Sequence, residues 1–215
     1  MAYSITNGLC TLADVKAALN ITDTHDDDRI SLAIDAASRL IEARCNRRFW
    51  QDATVSTRKF VSNDPWLVET DDISTTVGLI VETDYAGDGT FGTTWDTYDY
   101  QTEPINGIMQ GLEGWPVTKI RAIRSLYFPV WGGISYPKPY TQALVRITAK
   151  WGWPTIPTQV VKAAVVQSIS LFRADDTPFG ATPFAETGIV RMKNALHPTA
   201  ELLLTPYRED PVLVA

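Results

Sequence analysis

The sequence is poor in the residues that most often carry chemistry, with two histidines and two cysteines in 215 residues. His25 and His197 lie outside any nucleophile motif, and the chain contains no Gly-x-Ser-x-Gly elbow, phosphate-binding Gly-Lys-Ser/Thr loop or His-Glu-x-x-His pair. His197, just before Pro198, reads as a surface turn residue. Cys10 and Cys45 form no Cys-x-x-Cys or Cys/His group, so neither a zinc site nor a disulfide framework is indicated, and a reducing cytoplasm is the simple reading. Basic charge is also short: 19 Lys and Arg stand against 25 Asp and Glu, a formal net charge of -6. That excludes tight gripping of nucleic acid through a basic groove, which needs Lys and Arg to displace phosphate counterions. It leaves room for a protein past which DNA slides without adhering. No stretch approaches the eighteen or so apolar residues of a membrane span, and the N-terminus lacks a basic segment followed by an apolar run. Neither membrane embedding nor secretion by that route is expected.

What is present is an ordinary globular composition, 45% hydrophobic and 20% charged. Thr11, followed three positions later by Asp14, has the form of a helix N-cap, and a short helix to about Leu19 is expected. A second helix begins near Asp26, with Asp27 and Asp28 where the macrodipole favours carboxylates. Ile30, Ala33, Ile34, Ala37, Leu40 and Ile41 form its apolar stripe, and it closes in Arg44, Arg47 and Arg48. The basic residues complement a helix C-terminus, although they could also meet an acidic partner or a phosphate.

Between about Thr54 and Lys150 the texture changes to short β-rich runs separated by Gly, Pro, Asn and Asp. Strands are expected at 55–61, 77–85, 94–101, 120–128 and 143–149, with a turn at Ala86-Gly87-Asp88-Gly89-Thr90. Beyond Trp151 the pattern returns to helix. From Val160 to Phe172 the clearly polar residues are Lys162, Gln167, Ser168 and Ser170, and at roughly 100° per residue they scatter around the axis. Such a helix is expected to be buried on most sides, with another copy or a partner as the extra cover. A short strand or turn at Gly188-Ile189-Val190-Arg191 and a helix at Ala200 to Leu204 follow. Pro206 and Pro211 then keep the end extended, where Val212-Leu213-Val214 could add a strand to a partner's sheet or fray.

The fold class expected is α+β: a small helical bundle of N- and C-terminal helices, an inserted antiparallel β domain and an extended C-terminal tail. The corresponding divisions are a helical part at 1–53, the β domain at 54–150, the C-terminal helix and connecting segment at 151–198, and the tail at 199–215.

Candidate chemistry is thin. Asp23, Asp26, Asp27 and Asp28 offer oxygen ligands, but their spacing is not that of a calcium loop and three of them already serve a helix N-terminus. Asp84, Asp88 and Gly89 lack the alternate acids and closing Glu of such a loop, so a hairpin turn is the better reading. Trp95, Tyr98 and Tyr100 could stack on sugar rings, and alternation would put Tyr98 and Tyr100 on one face, equally a core or interface stripe. No paired carboxylates for glycoside cleavage can be singled out. Neither catalytic residues, nor a metal, nor a cofactor is expected.

Several separated segments together resemble one family, the head-tail connector adaptors of long-tailed bacteriophages. They are Leu12-Ala13-Asp14-Val15-Lys16, Ala36-Ala37-Ser38-Arg39-Leu40-Ile41-Glu42, Cys45-Asn46-Arg47-Arg48-Phe49, Gly87-Asp88-Gly89-Thr90, Trp95 before Asp99-Tyr100, and Trp151-Gly152-Trp153-Pro154 to Pro157. Phe172-Arg173, Pro178-Phe179-Gly180, Glu186 to Arg191, and Leu202-Leu203 to Tyr207-Arg208 are similar to the closing part of actinobacterial-phage members. The resemblance implies a non-enzymatic virion protein of the neck, made in the bacterial host cytoplasm. Twelve copies would form a ring under the portal protein, with a stopper or next tail-completion protein below and DNA passing through without specific binding. It implies helices packed between subunits, for which Val161, Val165, Ile169, Phe172, Ile34 and Ile41 are the candidates. Leu202, Leu203, Tyr207, Arg208, Val212 and Leu213 are the candidates for portal contact. Alternatives are another neck protein such as a stopper or, from a different class, a carbohydrate-binding or hydrolytic β module.

Overall fold

The computed structural model describes residues 3–130, 143–174, 181–182, 190–191 and 196–209. The fold is α+β, with helices and an antiparallel six-stranded sheet. The chain divides into two compact units, one made of Met1–Phe49 with Ile156–Ala215 and the other of Trp50–Thr155.

The first unit is helical. Helix α1 (Leu12–Leu19) starts at a complete capping box: Thr11 Oγ1 accepts from the Asp14 N–H at 3.1 Å, and the Asp14 carboxylate accepts from the Thr11 N–H at 2.9 Å. Helix α2 (Asp27–Cys45) follows, and both helices end at an asparagine in the left-handed region, Asn20 (φ 58°) and Asn46 (φ 53°). Helix α3 (Thr158–Ala174) packs against α2, α1 and the short α4 (Pro198–Leu204). Its buried residues are Val160, Ala163, Ala164, Val165, Gln167, Ser168 and Phe172. The two alanines let neighbouring backbones approach. The polar pair is satisfied in place: the Ser168 hydroxyl donates to the Ala164 carbonyl at 2.7 Å, and Gln167 Oε1 accepts from the His197 N–H at 2.7 Å. Three helices of the same unit thus cover its most apolar side, and what is left for another copy or a partner to cover is the half-buried row of Val161, Val166, Ile169 and Leu171.

The second unit is β. Strands β1 (Ser56–Phe60), β2 (Leu67–Thr83), β3 (Thr93–Thr94), β4 (Tyr100–Glu103), β5 (Val117–Ala122) and β6 (Val145–Trp151) pair antiparallel in the order β1-β6-β2-β5-β4, with β3 on β2. The early part of β2 pairs with β5 and its later part with β6, and its register shifts between Glu69 and Ile73 and again between Thr75 and Ile80. The core includes Val68, Ile73, Val81, Trp95, Tyr100, Ile120, Phe128, Val145, Ile147 and Trp151. Gly152, directly after β6, is at φ 99°, and a Cβ there would lie 1.9 Å from the Trp50 carbonyl oxygen. No side chain larger than hydrogen fits that approach.

The observed strands differ from expectation in three places. The strand expected from Val77 begins ten residues earlier, because Leu67 to Thr76 is mostly polar and buries only Val68, Ile73 and Ser74. The run 94–101 breaks at a turn in which the Asp99 N–H donates to the Asp96 carbonyl and the Asp96 N–H to the Asp99 carboxylate. The run 120–128 leaves the sheet after Ala122. A two-stranded pair, β7 (Ala181–Thr182) with β8 (Val190–Arg191), completes the described strands, and the element expected at 188–191 is seen at its last two residues. Val212-Leu213-Val214 lies outside the described residues.

Candidate assembly interface

In the helical unit, the C-terminal segment is tied to α2 and α3. Arg44 Nε donates to both carboxylate oxygens of Glu201 at 3.0 Å, and Arg208 reaches the same carboxylate at 3.5 Å. The Arg44 guanidinium holds the Glu201 carboxyl below its ordinary pKa. Tyr207 is buried, its ring edge-on to Phe49 with centroids 6.1 Å apart, and its hydroxyl donates to Gln159 Oε1 at 3.0 Å. The Glu209 N–H donates to the Cys45 carbonyl. His197 caps α4, its Nδ1 accepting from the Thr199 N–H at 3.2 Å. Burial pushes the thiols of Cys10 and Cys45 up to about 11, so both remain protonated and unreactive in the fold.

The residues expected to contact the portal therefore separate. Leu202 is 74% exposed and Leu203 half-buried. Tyr207 serves the unit's own core, and Arg208 is held by Glu201. Val212 and Leu213 lie outside the described residues. Those expected at a subunit contact separate as well. Ile34 and Ile41 are fully buried in the unit's own core and Val165 and Phe172 nearly so, whereas Val161 and Ile169 are half-buried.

A surface that the pattern reading missed lies on α2. Its exposed positions are Asp28, Arg29, Leu32, Ala36, Arg39, Leu40, Ala43 and Arg44. Leu32, Ala36, Leu40 and Ala43 recur at helical spacing and form a solvent-facing apolar ridge, with Leu32 55% and Leu40 47% exposed. Leu40, assigned above to the core stripe, belongs to this second row. Leu32, off the stripe by two positions, was the available signal.

In the β unit the three aromatics weighed as a sugar platform do not share a face. Trp95 is buried and stacked on Phe128 (centroids 4.5 Å, 14° between planes), with its Nε1–H donating to Thr83 Oγ1 at 3.0 Å. Tyr100 is buried in the sheet, while Tyr98 is 72% exposed beneath the Arg124 guanidinium, 5.8 Å from its ring centroid. Asp84 is likewise structural: its carboxylate is buried and accepts from the Gly87 and Gly89 N–H groups at 2.7 Å each, closing the expected turn. Among the described residues no group of three His, Cys, Asp or Glu could hold a metal ion.

Beyond β5 the segment 123–130 carries exposed apolar side chains past neighbouring loops. The Ile123 N–H donates to the Asp99 carbonyl, the Ala122 N–H to the Trp66 carbonyl and the Phe128 N–H to the Pro65 carbonyl. Tyr127 meets Tyr85 edge-on at 5.2 Å, and the Tyr85 hydroxyl donates to the Tyr127 carbonyl at 2.6 Å. Trp66, Tyr85, Tyr98, Ile123, Tyr127 and Val130 are thereby gathered around one segment, all exposed.

Comparison with known proteins falls in line with this architecture. Residues 10–94, from α1 through β3, match the family described as Phage gp6-like head-tail connector protein. The resemblance to head-tail connectors read from the sequence is borne out over that stretch. No curated protein matches the chain. The fold is similar, over 100% of this chain and 96% of the other, to a chain of the solved "Neck of empty GTA particle computed with C6 symmetry", at a TM-score of 0.53 and 12% identity. A chain from the "Virion of native gene transfer agent (GTA) particle" is similar at a TM-score of 0.49 and 16% identity, over 99% of this chain and 96% of that one.

Proposed function

We propose that this protein is a structural head-to-tail adaptor of a tailed phage or phage-like particle, located in the virion neck. Copies form a ring under the portal, extend the DNA channel, and join the filled head to the stopper and tail. The observation that carries the reading is the family match of residues 10–94, which spans the capped helix pair and the first three strands. The chain that shares its fold over its full length comes from a particle neck described with six-fold symmetry, an arrangement that accommodates the twelve copies implied by the family resemblance.

The physical features agree with a conduit. An acidic chain repels the phosphate backbone, so DNA passes without adhering to the wall. The role needs no catalytic group, and the two thiols are locked in the core. Buried Trp95 and Tyr100 take two of the three aromatics weighed as a sugar platform out of reach of a ligand. Leu202, with Leu203, Arg208 and the residues around Val212 and Leu213, is proposed as the part that meets the portal. Val161 and Ile169 are proposed to lie near neighbouring copies.

Electron microscopy of the purified chain mixed with purified portal tests the role. Class averages should show an added ring, coaxial with the portal and on one face of it. Portal averages unchanged by a large excess of the chain would overturn the assignment.

A further inference from the structure

We propose that Asn7 is a site of spontaneous succinimide chemistry, at which the folded chain loses ammonia and residue 7 becomes aspartate or isoaspartate. An asparagine or aspartate followed by glycine is prone to this reaction, because glycine has no Cβ to keep its own backbone nitrogen away from the preceding side chain. The sequence has three such pairs, Asn7-Gly8, Asp88-Gly89 and Asn106-Gly107. The structure separates them by what holds the glycine N–H. The Gly89 N–H donates to the buried Asp84 carboxylate at 2.7 Å. The Gly107 N–H donates to the Pro104 carbonyl at 3.1 Å, and the Gly107 carbonyl accepts from the Trp115 N–H at 3.0 Å, so this turn is tied on both sides. Among the described residues the Gly8 N–H meets no acceptor. Asn7 and Asn106 are otherwise alike, both exposed and both in the left-handed region, at φ 52° and 59°. Asn106 is therefore the internal comparison.

Asn7 also sits at a bend that can open. The residues before it are tied to α2 by exposed contacts: the Tyr3 N–H donates to Asp28 Oδ1 at 2.8 Å, the Tyr3 hydroxyl to Asp35 Oδ2 at 2.7 Å, and Arg39 to the Asn7 carbonyl at 2.8 Å. After it the chain enters the core at Leu9 and Cys10. Gly8 is seated closely enough that a Cβ would lie 3.1 Å from the Cys10 carbonyl oxygen and 3.3 Å from Ile34 Cγ2. Gly8 is thus the fixed side of the bend, and the strap of residues 3–7 is the side that lifts, at the low cost of a few solvent-exposed hydrogen bonds. With the strap lifted, the Asn7 side chain turns onto the Gly8 nitrogen. That nitrogen gives its proton to solvent and bonds to Asn7 Cγ, while the Cγ–Nδ2 bond breaks and ammonia leaves with a proton taken from water. Water then adds to one carbonyl of the ring. Breaking the new N–Cγ bond leaves aspartate. Breaking the backbone C–N bond leaves isoaspartate, in which the chain runs through the side-chain carboxyl and the carbonyl that Arg39 holds has become a free carboxylate. Either product adds a negative charge beside the Arg39 guanidinium.

The test incubates the full chain at mildly alkaline pH in heavy-oxygen water, folded and in denaturant, and follows each site by peptide mass spectrometry. Oxygen label in the new carboxyl group marks conversion during the incubation. In the folded chain Asn7 should convert at least about tenfold faster than Asn106, where the hydrogen bond on the Gly107 nitrogen must first be broken. Isoaspartate at Asp88 should appear as slowly as at Asn106. In denaturant, with both turns released, Asn7 and Asn106 should convert at similar rates. Tyr3→Phe removes the hydroxyl bond to Asp35 from an exposed position and should speed conversion at Asn7 while leaving Asn106 unchanged. Conversion at Asn7 no faster than at Asn106 in the folded chain, or an Asn7 that stays intact there while it reacts in denaturant, would overturn the proposal. A Tyr3→Phe chain that converts at the parent rate would overturn the lifting strap as the route to reaction.

Discussion

Single residues show how tightly each unit is specified. Gly152 is the sharpest case, since its positive φ and the Trp50 carbonyl against its Cα exclude any side chain. Gly152→Ala should destabilise the protein by more than about 2 kcal/mol, read by denaturant titration, because backbone rather than a movable side chain stands in the way. A melting curve within a degree of the parent would contradict that account. Glu201 gives a pH signature of known sign. Its folded-state pKa is lowered by Arg44, so its contribution is present above the unfolded value near 4.5 and is lost as pH falls through the folded value. Asp14, lowered by the Thr11 hydroxyl and N–H, acts in the same direction further down, from an ordinary value near 3.8. Glu201→Gln should cost on the order of 0.5 kcal/mol at neutral pH, little for an exposed pair, and should flatten the loss of stability below pH 4.5. An acid limb as steep as the parent's would show that the pair carries none of it.

At the scale of elements, what could be read from the sequence depended on whether a local rule decided the outcome. The capping box at Thr11 and Asp14 set the start of α1, and the Asn20 and Asn46 ends follow the same local chemistry. The long helix at 158–174 was legible from composition, but the part of its cover that comes from the same chain was not. Ala163, Ala164 and Ser168 look like weak apolar residues in one dimension, and only the packing of α1, α2 and α4 shows them to be the close-contact side. The first half of β2 escaped notice because two register shifts break its alternation. The ridge on α2 escaped because Leu40 fits the core stripe and the exposed row alike. The C-terminal segment gives a prediction at this scale. A cut that removes residues 206–215 would also remove Tyr207, which is buried against Phe49 and bonded to Gln159, so it tests folding as much as docking. Removing 210–215 instead should leave the melting temperature within about two degrees while weakening portal docking at least about fivefold, measured by co-sedimentation. Undiminished docking would move the portal contact to Leu202 and its neighbours.

For the whole molecule, the architecture combines a helical unit with a β unit whose loops present exposed aromatic side chains. Among the described residues, each unit buries a core of its own. In the proposed ring, assembly would fall to outer surfaces, and moderate contacts repeated around it would give strong attachment without a strongly self-associating monomer. Such a division would suit the adaptor role proposed above. The measurement that bears most directly on the adaptor role is localisation in the particle. Purified virions carrying a gold-labelled or density-tagged copy of this chain should show the label at the junction of head and tail, below the portal and above the tail tube. Label on the head shell, along the tail or at its tip, or particles wholly without the chain, would contradict the account.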